Sequence, residues 1–104
     1  MLTDIYQKIE RDFADKTPLV IAALDQLDAK TKGLVSSRLV RSIVYLAKGD
    51  VSELEKYISL AQVDWRDVLL QAEYSYPDNT RLRDFDKTFH ELKLLSRTEG
   101  LKTK

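Results

Sequence analysis

The feature that most constrains this chain is the spacing of its apolar residues, which recur every three to four positions along nearly the whole sequence. Leu2, Ile5, Tyr6, Ile9 and Phe13 follow the i, i+3, i+4, i+7 pattern of an amphipathic helix. Period-two alternation bounded by turn residues, which would mark strands, is absent. The expected fold is all-α: a compact orthogonal or irregular bundle of about six short helices.

Three glycines and two prolines punctuate those helices. Thr17-Pro18 reads as an N-cap with proline at the first helical position, opening a second helix over 18–30. Gly33 suits the turn that follows. A third helix over 34–48 spreads Val35, Leu39, Val40, Ile43, Val44, Leu46 and Ala47 across about half its surface, an arc wide enough to predict neighbours on more than one side. Helices two and three are therefore expected to form a central antiparallel hairpin. Gly49 ends the third helix, and Asp50 with Glu53 gives a capping-box-like start to a fourth, whose Val51, Leu54, Tyr57, Ile58 and Ala61 face inward.

Asp64 with Asp67 marks the start of a fifth helix, with Trp65, Val68, Leu69, Ala72 and Tyr76 as its inner stripe. Pro77-Asp78-Asn79 breaks it. A sixth, over 80–95, is expected to bury Leu82, Phe85, Phe89 and Leu92. The domain is expected to span 1–95, with 96–104 a polar, fraying tail. No internal repeat is evident.

Composition narrows the function classes. The chain's 104 residues suit one domain, which by surface-to-volume scaling buries roughly 65% of its unfolded surface. An apolar fraction of 43% with 33% charged residues predicts a core under a heavily charged exterior. The formal net charge is zero, so no global field recruits nucleic acid or an anionic membrane. Cysteine is absent, which removes disulfides, thiolate zinc sites, iron–sulfur clusters and cysteine nucleophiles. The N-terminal MLTDIYQKIERDF has no basic region leading into an apolar one, so no secretory signal is read there. The run from Leu19 to Leu24 falls far short of the ~20 residues that cross a bilayer. A soluble, cytoplasmic protein is expected.

Charge is balanced only in sum. Residues 1–28 carry three basic and six acidic side chains, and 29–49 five basic and no acidic ones. Residues 50–78 carry two basic and seven acidic, and 79–104 seven basic and four acidic. The blocks can pair within one molecule or between two copies. The plainer alternative is solvation of helix surfaces, since exposed pairs contribute only about 0–1 kcal/mol each.

Two faces are left once a core is assigned. On the third helix Arg38, Arg41, Tyr45 and Lys48 share the side opposite the apolar arc. A tyrosine in a basic stripe can stack on a base or anchor a protein, or it can pack under the first or sixth helix with the arginines solvated around it. A helix-turn-helix reading of helices two and three is weakened because helix three spends most of its circumference on the core. On the fifth helix Leu70 and Tyr74 form a second apolar stripe that needs a second covering surface, either the sixth helix or another subunit. Arg66, Asp67, Glu73, Arg81, Arg83 and Asp84 cluster around it. They are expected to form an ion-pair network between helices five and six, the alternative being the frame of a partner groove.

Catalysis finds little in these residues. Asp86 and His90 are four apart, but His90 is the only histidine and nothing completes a metal set. The acids lie mainly at helix starts, where the macrodipole explains them. No nucleophile arrangement and no glycine-rich loop ahead of a helix appears. No catalytic, cofactor-binding or metal residues and no cofactor are therefore assigned.

The segment DWRDVLLQAEY (Asp64 to Tyr74) followed by RLRDF (Arg81 to Phe85) resembles small bacterial helical proteins classed as domains of unknown function, over residues 41–89. That resemblance implies a compact cytoplasmic helical domain and supplies no catalytic residues. The leading expectation is a non-enzymatic module for protein–protein contact or regulation, with homodimerisation through Leu70 and Tyr74 as one form of it. The alternative is weak nucleic-acid binding through Arg38, Arg41, Tyr45 and Lys48, and a metal-dependent enzyme ranks last.

Overall fold

The computed structural model describes residues 1–31, 35–74 and 80–93. Among them four helices are complete, a further helical stretch begins at Phe89, and no strand forms. The all-α expectation holds. α1 (Thr3–Phe13) buries Ile5, Ile9 and Phe13 and runs through a 3-10 turn (Ala14–Lys16) into α2 (Thr17–Lys30). Thr17 is buried, and its hydroxyl donates back to the Ala14 carbonyl at 2.7 Å, tying the turn to the new helix. Pro18 stands at the start of α2, where its missing N–H costs nothing.

α3 (Ser37–Ala47) begins where the Ser36 hydroxyl accepts from the Leu39 N–H at 3.1 Å. Arg41, Ser42, Ile43 and Val44 are all buried, and four consecutive residues cover the full circumference of a helix. Hence α3 is enclosed, with α1 and α4 packed on it. The central pair is α3 with α4, not the expected hairpin of helices two and three. α2 buries only one stripe (Val20, Leu24 and Leu27) and packs against α1 and α4.

The α3–α4 connection explains their closeness. Lys48 and Gly49 both take positive φ, +50° and +78°, turning the chain within three residues. A Cβ on Gly49 would lie 2.7 Å from the Asp12 carbonyl oxygen, so α1 also presses on this turn. Asp50 then caps α4 (Val51–Glu73), its Oδ1 accepting from the Ser52 and Glu53 N–H groups at 2.8 and 3.3 Å.

The expected fourth and fifth helices are two arms of α4. At Asp64 the backbone leaves helical geometry (φ −153°, ψ 88°), and Asp64 Oδ1 accepts from the Arg66 N–H at 3.2 Å. Aspartate at this position competes with the helix for backbone donors and restarts it. Leu54, Tyr57, Ile58 and Ala61 on the first arm and Val68, Leu69 and Ala72 on the second point inward. Trp65, expected on the inner stripe, projects at the bend and is half exposed. Tyr76 lies outside the described residues.

The expected sixth helix does not begin at Thr80. Residues 80–88 are irregular, and helical geometry starts at Phe89. The start is a reciprocal cap: the Thr88 hydroxyl accepts from the Glu91 N–H, and Glu91 Oε1 accepts from the Thr88 N–H, both at 3.1 Å. The proposed end of the domain at residue 95 lies outside the described residues. Residues 80–93 form a strap across α1 and α3. Of its apolar residues Phe85 is fully buried, Phe89 and Leu92 are half-buried, and Leu82 is exposed, contrary to expectation.

Candidate functional site

Two arginines of α3 build the site. Arg38 and Arg41 are three residues apart, so both project toward the strap. Arg38 donates through Nε, at 3.0 Å, and Nη2 to the two oxygens of Glu73 at the end of α4. Glu73 has 0% exposure. Its carboxylate also accepts from the Phe85 N–H at 2.8 Å and from Arg81 at 3.4 Å, while its carbonyl accepts from the N–H groups of Leu82 and Arg83. Arg41, 4% exposed, donates through Nε and Nη2 to Asp4 of α1 at 2.9 and 3.1 Å, and through Nη1 to the Phe85 carbonyl at 3.0 Å. Asp4 accepts in turn from the Phe89 N–H at 3.1 Å. The strap has little regular backbone bonding of its own, and these two ion pairs supply its partners.

The charges set each other's ionisation. Burial pushes the Glu73 carboxyl upward, but the Arg38 hydrogen bonds and the Phe85 N–H outweigh it and hold the group below its ordinary 4.5. The same contest, with Arg41 and the Phe89 N–H on the winning side, holds Asp4 below 3.8. Hydrogen bonding to Glu73 raises the Arg38 guanidinium above its ordinary value. Every buried side-chain polar atom among the described residues has a partner, which is the condition under which buried charge is tolerated.

Outside this latch the strap, α1 and α3 enclose an open groove of about 770 Å³. Its floor is aromatic. Phe85 lies 5.2 Å from Tyr45 and 6.0 Å from Phe89 between ring centroids. The Arg83 guanidinium sits 4.7 Å over the Tyr45 ring, and Lys8 Nζ 5.7 Å over Phe89. The walls are basic: Lys8 and Arg11 from α1, then Arg81, Arg83 and Lys93 from the strap. A smaller recess beside Tyr45 continues to Lys48. Two acids join the lining, and each is matched already, Asp12 with Lys8 at 3.0 Å and Asp84 with Arg81 at 3.0 Å. A protein of zero net charge thus concentrates positive charge in one concavity.

The sequence-derived faces divide differently from their spacing. Of the basic face on helix three, Arg38 and Arg41 are spent on Glu73 and Asp4, whereas Tyr45 and Lys48 reach the groove. Of the charged cluster, Glu73, Arg81 and Asp84 form a network, joined by Arg38. Arg83 donates to the Ala72 carbonyl at 3.0 Å and lines the groove. Arg66 and Asp67 stand apart from that network: Arg66 covers the Trp65 ring at 5.4 Å, and Asp67 accepts from Gln71 at 3.2 Å. Leu70 remains 51% exposed and Tyr74 half-buried. Asp4 and Lys8 were not singled out by the sequence, nor was Arg11.

His90 is exposed on the helical end of the strap. Among the described residues no three His, Cys, Asp or Glu side chains converge as a metal site, and no helix is long and apolar enough to cross a membrane. Comparison with protein-family models, curated proteins and solved structures gives no match. Residue roles therefore rest on the chain's own geometry.

Proposed function

We propose that the chain is a non-enzymatic module acting through protein–protein contact, and that the groove between α1, α3 and the strap receives the partner. One observation carries this reading: a preformed concavity of about 770 Å³ whose strap wall is pinned by Glu73, Arg41 and Asp4, none of which it exposes as lining. A preorganised wall lowers the ordering cost of association. Leu82 stands in that wall with half its surface exposed, an apolar contact waiting beside charge. A photo-crosslinking residue at position 82 should yield a discrete protein adduct in cells, and one at exposed Glu55 on α4 should not. Absence of any position-82 adduct would count against the groove as the docking surface.

Self-association is the second reading, favoured by Leu70. It is half exposed, with Arg66 and Asp67 one turn before it, so a twofold contact through this face covers both leucines beside charged neighbours. Sedimentation at low micromolar concentration should show a dimer that Leu70→Asp dissociates. The stability of each protomer should change by no more than about 0.5 kcal/mol, as for a surface substitution. A wild-type monomer removes this reading.

A further inference from the structure

We propose that the occupant of the groove is an extended acidic peptide segment of the partner, carrying carboxylates interleaved with at least one large apolar side chain. The inference rests on the groove being the docking surface and adds the chemistry of what docks.

Charge complementarity sets the acidic character. Asp12 and Asp84 are neutralised by Lys8 and Arg81. The remaining cations around the concavity, Arg11, Lys48, Arg83 and Lys93, have no ion pair among the described residues. Arg11 from α1 and Arg83 and Lys93 from the strap line the groove itself, and Lys48 lines the recess that adjoins it, so a ligand in the groove meets positive charge from more than one side. Guanidinium groups favour planar carboxylate or phosphate partners, which they bind through paired N–H donors. Exposed Leu82 and half-buried Leu92 interrupt the basic lining with apolar surface. A bare inorganic anion leaves that surface wet, whereas a peptide with alternating acidic and apolar side chains covers both.

The rings argue against a nucleic acid. Single strands are held by stacking bases on open aromatic faces. Tyr45 is already engaged by Phe85 and by the Arg83 guanidinium, Phe85 is fully buried, and Phe89 carries Lys8. A base stacking on Tyr45 or Phe89 therefore competes with the cation already placed over that ring. A duplex is read by an element that protrudes into its groove, and here the cations line a concavity. Its volume is that of a site for a drug-sized ligand, which suits a short stretch of peptide.

Fluorescence anisotropy with a labelled alternating glutamate–leucine peptide tests this, with polyglutamate and single-stranded oligo-dT and oligo-U of matched charge as competitors. Saturable peptide binding that falls steeply with salt is expected, with the competitors weaker. Arg11→Glu combined with Lys93→Glu should weaken it roughly tenfold, since both reversed charges face the ligand. Lys16→Glu combined with Lys30→Glu makes the same change in net charge outside the groove and should leave binding within about twofold. The proposal is overturned if no saturable binding appears at low salt, if the two double variants behave alike, or if the oligonucleotides compete as well as the peptide. A position-82 protein adduct that persists in any of those cases keeps the groove as a docking surface and removes only the acidic peptide. Loss of the adduct as well removes both.

Discussion

Replacing Glu73 with alanine is expected to destabilise the protein by about 3–5 kcal/mol, the usual cost of removing one member of a buried ion pair. Four donors converge on that carboxylate: two from Arg38, one from Arg81 and the Phe85 N–H. Truncation leaves the Phe85 N–H buried without its acceptor and takes from Arg38 the partner that holds it. Against a typical domain stability of about 5–15 kcal/mol, this is a large fraction, and thermal unfolding should shift down by ~12 °C or more. A loss below about 1 kcal/mol in urea unfolding would show that the latch does not hold the fold.

The same residue predicts a pH dependence whose sign follows from its depressed ionisation. Glu73 is held below 4.5 in the folded protein and returns toward that value on unfolding, so the unfolded chain takes up its proton first as pH falls. Its contribution is fully present above 4.5 and is lost as pH drops through the lower folded value. Asp4 behaves alike below 3.8. Stability should therefore be level above about pH 5 with respect to these two groups and decline below it. The gap between the wild type and Glu73→Ala should narrow through the same window. A gap that stays constant from pH 6 to 3 is incompatible with an ionised, hydrogen-bonded Glu73.

Phe85→Ala is expected to cost about 3–5 kcal/mol, the range for deleting a buried aromatic ring. Phe85 is fully enclosed and contacts both Tyr45 and Phe89. Its backbone is gripped from two sides, the N–H by Glu73 and the carbonyl by Arg41. Emptying the ring's place removes the floor of the groove while leaving the cations on its walls. The variant should lose amide exchange protection at Phe89, whose N–H depends on Asp4, and should bind the acidic peptide more weakly than wild type. Unchanged exchange at Phe89 would show that the strap is held by its ion pairs alone.

Several features of this arrangement are legible in the order of the residues alone. Thr88-x-x-Glu91 is a capping-box pattern, and helical geometry begins there; proline and the apolar spacing downstream of Asn79 instead draw the expected start forward to Thr80. Ser36 stands one residue before α3 and caps it. Glu73 carries a signal too. It lies four residues after Leu69 and next to Ala72 on the inner stripe, and an acid there implies a buried cationic partner. What spacing does not disclose is which cation answers it. Arg38 is 35 positions away, and Arg41 lies 37 from Asp4. A helical projection places both arginines opposite the apolar arc and reads them as solvated, because it has no means of representing a strap that covers that side.

Local pattern therefore accounts for the all-α class, the caps at Asp50 and Asp64, and most of the buried apolar stripe, because each depends on interactions spanning only one or two helical turns. The α3–α4 centre, the irregular path of 80–88 and the basic groove depend on contacts between residues tens of positions apart. For residues 80–88 the outcome is settled by competition: helical bonds are available locally, but the Glu73 carboxylate and Arg41 offer the Phe85 backbone groups buried, charge-assisted partners, and the Glu73 carbonyl takes the N–H groups of Leu82 and Arg83. Such bonds are stronger than neutral ones made in water, and the chain follows them.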